Sequence, residues 1–255
     1  MGEGSICPLL VVLMSKIPEL KGADIAIVCM GRSHINYTIG QALGKKYYEV
    51  WAVNAMAIML KHERVFMLDP PSRFLDTDDA GAMTTPMADY LKNPGMCEAP
   101  IYSCELDDRC PTVVEYPLGD VLEEIKFPYL NNTTAYAIAY GIYQEVGSIT
   151  VYGADYTYSS VPHYAEAGRA CVEYWLAFAR SKGIGVGVAP ESSLLDMSEH
   201  PSKRLYGYHR LDDPMAVITT DDGNIKVGRA SDLKTDIQLW EAKRKAVAPP
   251  EPKNA

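Results

Sequence analysis

From position 24 to 30 every residue after Asp24 is apolar, and the run stops at Gly31. A continuous apolar run of this length predicts a strand buried on both faces, as in a parallel sheet. Residues 48–53 and 65–68 repeat the pattern and end on Asn54 and Asp69. Residues 101–104 and 113–116 read as shorter strands. Residues 149–152 read as another buried strand, and 184–189 as the strand that follows the long helix.

Helical spacing fills the gaps. Ser33 is placed to cap a helix reaching about residue 43. Residues 81–92 predict a loop and a short helix. Asn131-Asn132-Thr133-Thr134 precedes a helical run over 135–145, which Gly147 ends. Residues 165–182 form a long amphipathic pattern ending at Gly183. The tail differs. Residues 216–219 and 225–227 flank an Asp-Asp-Gly-Asn turn at 221–224, and 232–246 reads as a charged helix before a frayed end at 249–255.

Strands alternating with helices predict an α/β fold. The expected architecture is a Rossmann-like, mostly parallel sheet with helices on both faces, plus a C-terminal β-hairpin and helix. The expected organisation is an N-terminal arm (1–23), a nucleotide-binding or catalytic domain (24–200) and an extension (201–255). The extension is a candidate contact for a homo-oligomer.

Composition narrows the function classes. The chain of 255 residues carries 24 Lys+Arg against 33 Asp+Glu, a net charge of −9. That balance speaks against a broad nucleic-acid surface. The longest apolar run, 6–14, is far short of the roughly 20 residues that span a bilayer. Glu3 precedes that run and no Lys or Arg does, so it makes a poor signal peptide. A cytoplasmic location is the expectation. The six Cys are scattered and form no Cys-x-x-Cys pair, which gives a zinc site little support. Cys29 and Cys171 read as packed thiols, and the role of Cys97, Cys104 and Cys110 stays open.

In an open α/β sheet, ligands bind beyond the carboxyl ends of the strands. Gly31-Arg32-Ser33, Asn54, Asp69, and Gly153-Ala154-Asp155 with Tyr156 and Tyr158 stand at those ends. The Asn132-Thr133 helix start offers backbone amides to an anion on the same side. There is no Gly-x-Gly-x-x-Gly fingerprint and no Walker lysine, so a nicotinamide oxidoreductase and a P-loop kinase are poor readings. His163 stands beside Tyr164 in a loop that also carries Tyr156 and Tyr158, where a histidine can act as a base near neutral pH. Asp76-Thr77-Asp78-Asp79 and Asp107-Asp108 read as solvated acidic loops, and no metal site is assigned.

These residues carry a resemblance. Asn132-Thr133, Gly153-Ala154-Asp155, His163 and Glu173-Tyr174 stand in the order and spacing of the bacterial lipooligosaccharide sialyltransferases of glycosyltransferase family 42. Upstream, residues 28–33, Val53-Asn54 and residues 66–70 are similar to that family's nucleotide loop and its two following strand ends. The chain departs from the family pattern at Met30, Arg32, Asp69 and Asn132, where the family has Asn, Pro, Asn and Thr. The resemblance implies transfer of a sugar from a nucleotide-activated donor, CMP-linked as a first guess, to a hydroxyl acceptor without a required metal. His163 would be the general base, and Tyr156, Tyr158 or Tyr164 would assist the departing phosphate. Gly31, Ser33, Asn54, Asp69, Asn132, Thr133 and Gly153 would hold the nucleotide, and Asp155 a ribose or base edge. A more distant likeness is to 6-hydroxymethylpterin diphosphokinase-like proteins, which would need a nucleoside triphosphate and Mg²⁺. Proteins of this general type also look phage-like, so a non-catalytic nucleotide-binding or viral accessory module stands as a further alternative.

Overall fold

Seven short strands pair edge to edge in a parallel ladder that satisfies their backbone groups; the central ones are covered on both faces, and the edge strand over 185–188 is half-buried. The computed structural model describes residues 16–93, 99–157, 161–220 and 222–247. Most of the N-terminal arm, Cys97, Tyr158, Asp221 and the expected frayed end lie outside them. The strands are β1 (Asp24–Val28), β2 (Glu49–Val53), β3 (Arg64–Phe66), β4 (Ile101–Ser103), β5 (Val113–Glu115), β6 (Ser148–Tyr152) and β7 (Gly185–Val188). Their order is β5-β4-β3-β2-β1-β6-β7, and every pairing is parallel. The chain therefore builds outward from β1 to one side, then returns to the other side with β6. That reversal opens a crevice at the carboxyl ends of β1 and β6.

The helices are α1 (Ile35–Ala42), α2 (Ser72–Leu75), α3 (Thr84–Lys92), α4 (Leu118–Ile125), α5 (Thr133–Tyr143), α6 (Pro162–Ser181) and α7 (Lys234–Val247). Alternation along β1 sends Ile25 and Ile27 to one face of the sheet and Ala26 and Val28 to the other. On the first face they join residues of α4, α5 and α6, including Val121, Ile138 and Trp175. On the second they join Phe74, Met87, Tyr90 and Leu91 of α2 and α3. Helix α5 is buried almost all round, between the sheet, α4 and α6. Its small residues permit that: a Cβ on Gly141 would meet Ile149 Cδ1 at 3.0 Å.

The amino edge of the sheet holds a buried ion pair. Arg64 Nε and Nη2 donate to Glu49 Oε2 and Oε1 at 2.7 and 2.9 Å, and Trp51 Nε1 donates to Glu49 Oε2 at 2.7 Å. Arg64 Nη1 reaches Tyr102 Oη at 3.2 Å, and that hydroxyl lies 2.8 Å from Tyr140 Oη.

The hairpin is present as β8 (Met215–Thr219) and β9 (Ile225–Arg229), an antiparallel pair separate from the main sheet. Gly223 adopts φ +80° in its turn. Ala216 and Ile218 pack on Ile237 of α7, so hairpin and helix share a small core. The His200–Glu241 and Arg244–Glu191 pairs, at 3.4 and 3.6 Å, tie α7 to the segment that follows β7. Several elements differ from the sequence expectation, among them the short helix α2, which was not anticipated. Helix α4 was not anticipated either, although Leu118, Val121, Leu122 and Ile125 recur at helical spacing. It forms by burying Val121 and Ile125. The helix after β1 begins at Ile35 rather than at Ser33, for a reason that belongs to the site.

Candidate functional site at the carboxyl edge

Ser33 is not a helix cap. It sits in a 3₁₀ turn, 1% exposed, and its hydroxyl donates to Asp155 Oδ1 while its amide donates to Asp155 Oδ2 at 2.7 Å. The Gly153 amide in turn donates to Ser33 Oγ at 2.9 Å, and the Gly31 amide to Gly153 O at 2.7 Å. The turns after β1 and β6 are thus one hydrogen-bonded unit. Gly31 is required by this approach: a Cβ there would meet Gly153 O at 2.5 Å and Asp155 Oδ2 at 2.7 Å. Gly153 is required twice, by φ +69° and because a Cβ would run into Cys29 O.

This unit forms the floor of a cleft of about 560 Å³. Among the expected site residues, Gly31, Asn54, Asp69, Asn132, Thr133, Gly153, Tyr156 and Tyr164 line it. Ser33 and Asp155 do not. They brace the floor from behind, with both oxygens of Asp155 engaged by Ser33. His163 is exposed in the first turn of α6, next to Tyr164, and does not line the cleft. Tyr158 falls outside the described residues.

The α5 start forms one wall. Asn132 is its cap, accepting from the Ala135 amide at 3.1 Å, while its Nδ2 donates to Gly168 O of α6 at 3.3 Å. The Thr133 and Thr134 amides open the helix and have no partner within it, which suits an anion. Tyr156 Oη donates to Asn132 Oδ1 at 3.2 Å. Its ring lies against Gly168, where a Cβ would meet Tyr156 Cε1 at 2.6 Å. Replacing Asn132 with Ala should cost about 1 kcal/mol, read as a fall in denaturant midpoint with an unchanged slope. Replacement by Ser or Asp should restore most of it.

Two lining groups are chemically distinctive. Asn54 holds φ +52° and its Oδ1 is buried with no hydrogen-bond partner. Arg73 was not singled out from the sequence, because α2 is too short to give it a period. It lines the cleft, with Nη1 donating to Asp69 Oδ1 at 2.6 Å and Nε to Asp79 Oδ1 at 3.1 Å. Those bonds hold Asp79 below the ordinary carboxylate range. Asp76 is likewise held by Arg109, at 2.7 and 2.9 Å, so the acidic loop is exposed and bound up in arginine contacts. Cys29 lines the floor, yet burial pushes its thiol up to about 12 and it stays protonated. Cys171 is fully buried, as expected of a packed thiol, and Cys104 is exposed.

No helix among the described residues is long and apolar enough to cross a membrane. Comparison of the chain with protein-family models, curated proteins and solved structures finds no match.

Proposed function

We propose that the carboxyl-edge cleft binds a nucleotide, and that the chain is a glycosyltransferase, sialyltransferase-like in its motif order, acting on a nucleotide-activated sugar. One observation carries the reading. The turns after β1 and β6, the end of β2 and the free first turn of α5 meet in one cleft at the switch point of a parallel sheet. Close backbone approach at Gly31 and Gly153 suits a phosphate, and the Thr133 and Thr134 amides suit its charge. Positioning and charge stabilisation of the leaving phosphate would then come from backbone dipoles, with Tyr156 or Tyr164 adding a hydroxyl donor. His163 would take the acceptor proton. It stands one residue from a lining side chain.

A thermal-shift panel tests the reading, with CMP, CDP, UMP, UDP, GDP, ADP and ATP, each with and without Mg²⁺. A ligand at 100 times its Kd should add about 2.7 kcal/mol, which is several degrees for a domain of this size. A shift with one nucleotide that does not need Mg²⁺ is the expected result. A shift confined to ATP with Mg²⁺ would replace this reading with a diphosphokinase-like one, and no shift would favour a non-catalytic module. His163→Ala should lower turnover on the order of 10²-fold or more while leaving nucleotide affinity unchanged. Unchanged turnover removes His163 from the mechanism.

A further inference from the structure

The C-terminal hairpin has an open edge. Among the described residues β9 pairs with β8 alone, so its far side carries no neighbouring strand. Which groups face that side follows from the pairing. The Thr220 amide donates to Asn224 O at 2.9 Å, and the Ala230 amide to Pro214 O at 2.7 Å. The register between those bonds sets Val217 opposite Val227 and Thr219 opposite Ile225. Hydrogen-bonded pairs alternate along an antiparallel ladder. Lys226 and Gly228 therefore bond inward to β8, while Ile225, Val227 and Arg229 turn their backbone groups outward. The Arg229 carbonyl already accepts from the Asp232 and Leu233 amides. What the edge offers is the Arg229 amide and both backbone groups of Ile225 and Val227.

The side chains of the same strand are exposed. Ile225 and Val227 are 60% and 57% exposed, on the face opposite the one that Ala216 and Ile218 bury against Ile237 of α7. The charges that would guard such an edge are drawn aside. Lys226 Nζ pairs with Asp236 of α7 at 3.3 Å, and Arg229 Nη1 donates to Asp213 O at 2.9 Å.

A second copy of β9 is complementary to this edge. Laid antiparallel about a two-fold axis at Val227, it sets Val227 opposite its own counterpart and Ile225 opposite Arg229. The two Val227 residues then exchange both backbone bonds, and each Arg229 amide reaches an Ile225 carbonyl. Val217 and Val227 of both copies form one apolar row. Lys226 falls opposite Gly228, so the two ammonium groups do not meet. An axis one residue earlier would set Lys226 directly against Lys226, which like charge disfavours. Such an interface is isologous, as two-fold dimers require.

We infer that the chain forms a homodimer through β9, the two hairpins joining in one continuous antiparallel sheet. None of the residues involved lines the carboxyl-edge cleft, so this inference and the nucleotide reading stand or fall separately.

Sedimentation of the full chain through a dilution series tests it, together with amide hydrogen exchange. At the concentrated end the chain should sediment at twice the mass of one copy. Exchange at the Val227 and Arg229 amides should slow as concentration rises, whereas the Lys226 and Gly228 amides, bonded to β8, should be protected throughout. Val227→Asp sets two carboxylates face to face and should abolish the dimer. Met59→Asp, at a comparably exposed apolar position on the main domain, should keep it. A chain that is monomeric at every concentration overturns the inference. So does a dimer that Val227→Asp leaves intact, or one in which the Val227 amide exchanges as fast as in the monomer. The exchange measurement on the parent chain decides the matter even where the variant fails to fold.

Discussion

An Asp155→Ala variant should melt well below the parent protein and lose most of its affinity for nucleotide, although Asp155 does not line the cleft. The side chain is 7% exposed and accepts from both the amide and the hydroxyl of Ser33. Its removal strands two buried donors, at about 1–3 kcal/mol each. The loss spreads, because Ser33 Oγ also accepts from the Gly153 amide. The turns after β1 and β6 would then part, and the close approach of Gly31 to Gly153 would relax. Thermal denaturation and nucleotide titration should fall together. Asp155→Asn should recover part of the melting temperature, because one oxygen remains to accept. If Asp155→Ala keeps full nucleotide affinity, the two turns are not the unit that shapes the cleft.

The second large effect lies at the opposite edge of the sheet and should leave the site untouched. Glu49→Ala removes the carboxylate that holds Arg64 with two hydrogen bonds and also accepts from Trp51. The Arg64 and Glu49 side chains are only 10% and 12% exposed. A buried charge left without its partner costs about 3–5 kcal/mol. At about 2–4 °C per kcal/mol, the melting temperature should drop by roughly 10 °C. The double variant Glu49→Leu with Arg64→Met should be more stable than Glu49→Ala alone, since neither charge is then stranded. A single variant that melts with the parent would show the pair to be solvated rather than buried.

The strand ends were legible because the central parallel strands are short apolar runs that stop at a glycine or a polar residue, Gly31, Asn54, Asp69 and Gly153. The α5 start was legible for the same reason: Asn132 before a helical run is a capping pattern with one physical meaning. The direction in which those polar side chains point was not legible. Ser33 and Asp155 are 122 positions apart, and their mutual hydrogen bonds depend on β1 and β6 lying side by side. Local pattern reads each as a site residue, whereas together they are the brace behind it. Arg73 escaped notice because a single turn of helix has no period. Its position in the cleft follows from β3 ending two strands away from β1. The charge balance of the cleft therefore appears only once the sheet order is known.

On the proposed reading, the nucleotide sits where β1, β2, β6 and the first turn of α5 converge. Backbone amide and indole N–H chemical shifts, followed through a titration with the nucleotide that gives the largest thermal shift, locate it. The largest changes should fall on Gly31, Asn54, Thr133, Thr134 and Gly153, while Trp51 Nε1 at the amino edge stays still. Saturable changes centred anywhere else, at the β8–β9 hairpin or at the Glu49–Arg64 edge, would place the nucleotide outside this cleft.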